Sequence, residues 1–483
     1  MFAEHTVVNR KKRNATSQGV EKSPPRLSCP IQCAFGYEME MPGWHTCEAP
    51  DEESLGQTPI PVESSACFDK GEVLLKNRLI EMQADLLIDC GSDLEIVSKP
   101  FEDSPEGFLE LQQSLLMVRK IFTLLENSSE QVRMREFEAR DLGEVVRPRA
   151  FLHRVPVFKF REINAQVTVG LRLSRFADLF RDFGIGAEEE TGRQYERRRP
   201  GRIMSGLRSA KMPFLKHLIT GNSVFLVEEG LRKFWITRPC PPFPEPSKEL
   251  VSLLCLMLVY LSFGSMRVSI YPKAFTRYLM RTDFSRLFES LPSHEKKLFR
   301  RENGKHWMRL FEILLSRKHL QTKPPYKQRH IDPLFRDFIS PVDELPLQAP
   351  FFSKGVYHNR QLYFQHPVNL LDKLTRKDWI ANIPLGVDLL TERCFPDRTA
   401  ASHLESLGEF GVKADRLEDG ELAPVFELRH IAWPSEYGLQ GFIETMRLLF
   451  AYFYALNRGI DYKFGEPVPA VLTGMDALQE TDV

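Results

Sequence analysis

Apolar and polar residues alternate in four short stretches of the chain. Residues 34–41 place Phe35, Tyr37, Met39 and Met41 on one side of an extended strand and Glu38 and Glu40 on the other, because side chains two apart share a face. Residues 86–89 and 94–98 predict a strand pair turning at Cys90-Gly91-Ser92-Asp93, which carries Asp89 and Glu95. In a strand region over 155–172, Gln166 and Thr168 share a face, as do Glu427 and Arg429 in residues 424–430. Elsewhere the period lengthens to three and four. Residues 106–126 predict an amphipathic helix on Phe108, Leu111, Leu115, Leu116, Val118, Ile121 and Phe122. Helices are also expected over 70–83, 173–183, 274–291, 307–317 and 437–457. Residues 251–266 carry no charge. The run is shorter than the about 20 residues a bilayer span requires and holds Ser and Gly, so it predicts a buried core helix.

The order of strand, helices, strand, helices and late strand is that of an α+β fold and not of a βαβ repeat. No Gly-x-Gly-x-x-Gly or Walker-type loop occurs, which argues against Rossmann and P-loop nucleotide sites. Residues 1–30 are polar and include Arg10-Lys11-Lys12-Arg13; they predict a disordered basic tail without the apolar core of a secretory signal. Residues 31–237 and 248–460 are expected to be two parts of one domain, joined by a Pro-rich linker at 238–247 and followed by a tail at 461–483. The highly charged segment 186–211 is either a surface loop or a lid that grasps phosphate, and 321–425 is expected to hold long loops.

Composition narrows the function classes. The 483 residues carry 65 Lys and Arg against 65 Asp and Glu, so bulk charge points to neither a nucleic-acid nor a membrane partner. Eight cysteines in that length are too few for a disulfide scaffold and fit a reducing cytoplasm. Cys29 and Cys33 have zinc-like spacing, but no second close pair follows them. Neither His-x-x-x-His nor Gly-x-Ser-x-Gly is present, which leaves a zinc protease and a serine hydrolase without an anchor. Polar strand faces often need no function. Here, however, they carry Glu38, Glu40, Asp89, Glu95 and Glu427 among strongly apolar neighbours. Carboxylates crowd together at low cost mainly around a divalent cation or arginines, so the pattern predicts a site for Mg²⁺ and phosphate.

Three of these segments resemble a known family. Gly36-Tyr37-Glu38-Met39-Glu40 is similar to the opening strand of the amidoligase and glutamate–cysteine ligase group of carboxylate–amine ligases. The run from Asp89 through Glu95-Ile96-Val97-Ser98 to Pro100 resembles the group's next motif, and Phe426-Glu427-Leu428-Arg429 its Glu-x-Arg strand. The resemblance covers residues 35–100 and 424–457, and the middle only in outline. It implies an antiparallel sheet forming a concave, carboxylate-lined, glutamine-synthetase-like funnel with peripheral helices. It also implies ATP and Mg²⁺ as cofactors, and amide formation through an acyl phosphate from small-molecule or peptide carboxylate and amine substrates. Under it Glu38, Glu40, Glu95 and Glu427 hold Mg²⁺, with Asp89 as a further ligand or a group behind the ligands. Arg429 contacts the γ-phosphate or the acyl phosphate. Lys273, Arg277 and Arg281, spaced by four, would add cations along one helix face, a pattern that also fits a solvated basic face. Where the family has His-Val-His this chain has Gln166-Val167-Thr168, and an amide is a poor metal ligand. Two readings follow: a ligase with Gln166 and Thr168 at catalytic positions, or an inactive relative serving as an interaction or structural component with a protein partner.

Overall fold

The alternating segments pair side by side. A computed structural model describes residues 34–62, 65–69, 71–88, 91–128, 130–155, 164–182, 218–237, 245–263, 278–320, 346–349, 374–389, 414–416, 421–431, 438–463 and 466–473. The strands are β1 (Ala34–Glu48), β2 (Ala66–Cys67), β3 (Val73–Lys76), β4 (Ile80–Ile88), β5 (Gly91–Ser98), β6 (Phe101–Glu102) and β7 (Gln131–Arg133). They continue with β8 (Glu144–Val145), β9 (Ala150–Arg154), β10 (Asn164–Gly170), β11 (Tyr278–Met280), β12 (Ala414–Arg416) and β13 (Leu422–Ile431). The main path runs β11-β13-β10-β1-β5-β4-β3-β8, with antiparallel neighbours throughout. With its helices this is an α+β arrangement.

The apolar alternation decides which face is dry. Phe35, Tyr37, Met39 and Met41 of β1 are buried together with Ile80, Met82 and Ala84 of β4, Leu94 and Ile96 of β5, Val167 and Val169 of β10, and Phe426 of β13. Two helices cover this face, α1 (Pro105–Asn127) and, as the last of five long helices among the described residues, α5 (Gly438–Arg458). Phe450 meets Phe35 at 5.3 Å and Phe108 at 5.4 Å between ring centroids, and Phe442 meets Tyr37 at 5.5 Å, edge on. The Tyr37 hydroxyl is satisfied by Ser114 Oγ at 3.0 Å, as a buried phenol requires.

A second helical layer holds α2 (Leu218–Ile236), α3 (Lys248–Phe263) and α4 (Ser293–Leu314). Every residue from Val251 to Leu261 is buried, as expected of a helix apolar on all sides. It packs on α2 and on residues 173–182. No helix of the described residues is long and apolar enough to cross a membrane.

Two expected helices fold differently. Within the predicted 70–83 helix, residues 71–83 are not helical; they hold β3 and the start of β4. Leu75, Leu79 and Met82 mimic a helical period, but Asn77 Oδ1 accepts the N–H groups of Leu79 and Ile80 at 2.8 and 2.9 Å and forms a turn between strands. Residues 274–291 are not one helix either. Tyr278–Met280 is the edge strand β11, and a helix begins only at Phe284, capped by Asp283, which accepts Ser285 N–H at 2.7 Å. In α4, backbone at Arg301–Gly304 leaves helical geometry, so the predicted 307–317 helix is the second half of a longer, broken one. The expectations for residues 1–30 and 186–211, for Cys29 and Cys33, and for most of the 238–247 linker and of 321–425, lie outside the described residues.

The start of α1 depends on close backbone approach. Ser104 Oγ accepts Gly107 N–H at 3.1 Å, and a Cβ added at Gly107 would meet Glu102 O at 1.9 Å. We expect Ser104→Ala to lower the unfolding free energy by about 1 kcal/mol through loss of the cap. Gly107→Ala should lower it by about 2–3 kcal/mol through overpacking, both read by urea denaturation.

The C-terminal end of α5 is tied to the residue just ahead of α1. Asp103 accepts from Arg458 Nη1 at 2.8 Å and from Asn457 Nδ2 at 3.1 Å. Burial pushes its carboxyl up to about 6 despite the adjacent Arg458. Folded chains therefore hold a proton that unfolded chains have lost between the ordinary carboxylate range and about 6. The stability from this group is full below that window and declines as pH rises through it. Subtracting the pH profile of Asp103→Asn from that of wild type should leave that falling slope, and a flat or rising difference would contradict the assignment.

Candidate metal centre

The other face of the sheet carries its polar groups in rows set by register. Gln83, Glu95, Glu40 and Asn164 stand side by side across β4, β5, β1 and β10. One row along, about 7 Å away at strand spacing, come Glu81, Val97, Glu38 and Gln166. Beyond it stand Gly36, Thr168, Glu427 and Leu279. The three predicted motif strands thus belong to one sheet, and Glu38, Glu40, Glu95, Gln166, Thr168 and Glu427 occupy one side of it.

The tightest grouping is Glu40, Asp85 and Glu95, whose ligand atoms, one from each, all lie within 4.8 Å of one another. Glu95 and Asp85 are only 5% and 8% exposed, so their charges are largely removed from water. Asp85 shares the face of Gln83 by alternation and sits where the pairing becomes irregular. Ala84 pairs with Leu94 and Leu87 with Ser92, so β4 spends Asp85 and Leu86 against Asp93 alone, a β-bulge. Gln83 Nε2 donates to Glu95 Oε2 at 3.0 Å and fixes one carboxylate oxygen. Asp85 was not among the residues the sequence singled out. Its signal was the period-two alternation of Glu81, Gln83 and Asp85 against Ile80, Met82 and Ala84, which the apparent helix over 70–83 obscured.

At the opposite end of this face Glu427, 1% exposed, accepts from Arg281 Nε at 2.7 Å and also from its Nη2. Arg281 follows the edge strand β11 and not a helix, so it does not share a helix face with Lys273 and Arg277. Leu279 pairs with Glu427 in extended backbone, and this register brings the guanidinium to the carboxylate. Lys273, Arg277 and Asp89 lie outside the described residues. Arg429 is in β13, where it and His430 together oppose Gln166 in a second bulge, and its side chain lies outside the description. Beyond the carboxylate group, His45 Nε2 stands 3.5 Å from Asp93 Oδ1. Burial holds the His45 imidazole below its usual range against the pull of Asp93, and burial raises the Asp93 carboxyl against the pull of His45.

These residues fit a divalent cation. Three carboxylates of two neighbouring rows offer hard oxygen ligands at the mutual distances an oxygen-coordinated Mg²⁺ or Mn²⁺ bridges. Gln166 Oε1, opposite Glu38, is buried and meets no donor among the described residues, so the face also holds an acceptor still to be satisfied.

No family model and no curated protein matches the chain. Among solved structures the chain is similar to a VgrG Vibrio cholerae toxin ACD domain, a mutant form in complex with ADP and Mn++. That similarity runs at 13% identity and TM-score 0.35 over 84% of this chain and 96% of that one.

Titration with Mn²⁺ should raise the melting temperature of wild-type protein, with binding followed directly by the loss of free Mn²⁺ spin signal. Asp85→Asn and Glu95→Gln should each weaken that binding by about tenfold or more, the scale on which metal sites respond to lost partners. Glu81→Gln, on the same face but paired with Lys99 at 3.0 Å, should leave it unchanged.

Proposed function

We propose that the chain is an ATP- and divalent-cation-dependent carboxylate–amine ligase, working in a concave, carboxylate-lined funnel on the polar face of the sheet. The observation that carries this reading is the grouping of Glu40, Asp85 and Glu95 on the face that also bears Glu38, Gln166, Thr168 and the Arg281–Glu427 pair. Glu40, Asp85 and Glu95 would hold Mg²⁺, with Glu38 and Glu427 on the same face for a further ion and Asp89 kept as a further ligand on the sequence resemblance. Bound there, the cation supplies charge neutralisation of the phosphates, which phosphoryl transfer requires.

The chain's own groups do the rest. Gln83 keeps the Glu95 carboxylate aimed at the ion. Glu427 anchors Arg281, whose planar guanidinium suits phosphate oxygens, and Arg429 takes the transferring γ-phosphoryl group. Lys273 and Arg277, which precede β11 in the sequence, would add cations for the nucleotide phosphates, an assignment drawn from their four-residue spacing. In the reaction a substrate carboxylate oxygen takes the γ-phosphoryl group and ADP leaves. The amine then attacks the acyl carbon, and phosphate leaves with that oxygen as the amide forms. Gln166 Oε1 and the Thr168 hydroxyl can accept hydrogen bonds from the incoming amine, whose proton leaves with the departing phosphate.

A second reading has one observation in its favour. Gln166 and Thr168 replace the histidines of the resembled motif, which suits an inactive relative serving as a component of a larger assembly. ADP release from ATP and Mg²⁺ with pooled carboxylates and amines separates the two. Turnover should require the pool, fall by at least about a hundredfold in Glu95→Gln, as for loss of a principal electrostatic group, and move ¹⁸O from a labelled carboxylate into phosphate. No turnover with any pool, from protein that binds Mn²⁺ normally, would favour the inactive relative.

A further inference from the structure

Two cysteines stand directly opposite each other near the end of β1. Cys47 pairs with Cys67 of β2, and Glu48 with Ala66. Residues opposed in an antiparallel ladder point to the same face with Cα atoms about 4.5–5.5 Å apart, inside the about 4.4–6.8 Å that a disulfide spans. Opposed Cβ atoms lie about 4.5–5.5 Å apart, so closing the bond draws the strands together by about 1 Å to the preferred separation. The two-residue strand β2 lies off the main path of the sheet, pairing with β1, and such a short strand has little pairing to resist the movement. The thiols differ in access. Cys67 is exposed, whereas Cys47 is buried in a small cluster with Ala49, Ile60 and Phe151. An exposed sulfur that oxidant reaches first, beside a sheltered one that resolves it, is the arrangement a reversible thiol switch uses.

We propose that Cys47 and Cys67 form a modification site, a dithiol that a peroxide converts into a cross-strand disulfide joining β1 to β2. The Cys67 thiolate attacks one peroxide oxygen, the O–O bond breaks, and the thiol becomes a sulfenic acid as water leaves. The Cys47 sulfur then attacks the Cys67 sulfur, the S–O bond breaks, and hydroxide leaves as water with the Cys47 proton. The peroxide gains two electrons and the two thiols lose two. The bond fastens the far end of the strand that carries Glu38 and Glu40, and it stands whether or not the chain is a ligase.

The test treats reduced full-length protein with hydrogen peroxide, blocks remaining thiols, and maps linkages by mass spectrometry without reduction. The main linked pair should join the peptides of Cys47 and Cys67, two hydrogens lighter than the thiols, and dithiothreitol should reverse it. Cys67 bonded to any other cysteine, or recovered as sulfinic acid while Cys47 stays open to alkylation, overturns the proposal. With glutathione disulfide as oxidant, Cys47→Ser should leave Cys67 capped by glutathione, whereas wild type carries the internal bond; equal capping of both overturns it. Cys67→Ala changes an exposed position and keeps the buried cluster intact. It should abolish the rise in melting temperature that peroxide gives wild type, and a rise that persists overturns the proposal.

Discussion

Glu40 faces Glu95 across β1 and β5, and like charges in directly opposed positions weaken a strand pair. The pairing exists because the other side of the same strands fixes it. Phe35, Tyr37, Met39, Met41, Leu94 and Ile96 fill the space beneath α1 and α5, and a slip of one residue would move all of them to the wet face. Each such side chain gains about 1.5–3 kcal/mol on burial, while an unfavourable cross-strand pair costs no more than about 1 kcal/mol. The core therefore dictates where the acids stand, and a cation at that point would remove the residual repulsion. Fold and chemistry meet in this one register.

Departures from regular pairing shape the site as much as the regular rows do. The bulge in β4 falls at Asp85, beside the Glu40 and Glu95 pair, and the bulge in β13 falls at Arg429 and His430 opposite Gln166. β1 has its own irregularity, since Met41 pairs with Leu94 and His45 with the adjacent Asp93. Pro42, Gly43 and Trp44 lie between, with Gly43 in left-handed backbone that suits a residue without a side chain. Bulges of this kind re-aim side chains at sheet rims and beside functional sites, and all three fall in strands of the sheet that bears the carboxylates.

Much of this was legible in the sequence because a period of two leaves a clear record in long strands. Alternation alone assigns Glu38, Glu40 and Glu95 to polar strand faces, and helical periodicity or unbroken apolarity marks α1, the buried α3 and α5. Asp85 escapes such a reading, since Leu75, Leu79 and Met82 imitate a helical period and only the turn made by Asn77 reveals two strands. Tyr278–Met280 was hidden for a similar reason. Three residues are too few to show alternation, and their extended state comes from pairing with β13, a partner more than a hundred residues away. The Arg281–Glu427 pair follows from that same remote contact. Register between distant strands is not written locally, so Glu40 and Glu95 were readable one by one while their grouping with Asp85 was not.

Glu40, Asp85 and Glu95 are proposed to hold one divalent cation between them. The most direct measurement is anomalous scattering from crystals of the full-length protein soaked in Mn²⁺ and recorded at the manganese edge. The account predicts a peak within about 2.0–2.4 Å of oxygens from all three carboxylates, the bonding range for hard cations. Carboxylates separated beyond that reach, or manganese bound elsewhere while these three stay empty, would contradict it.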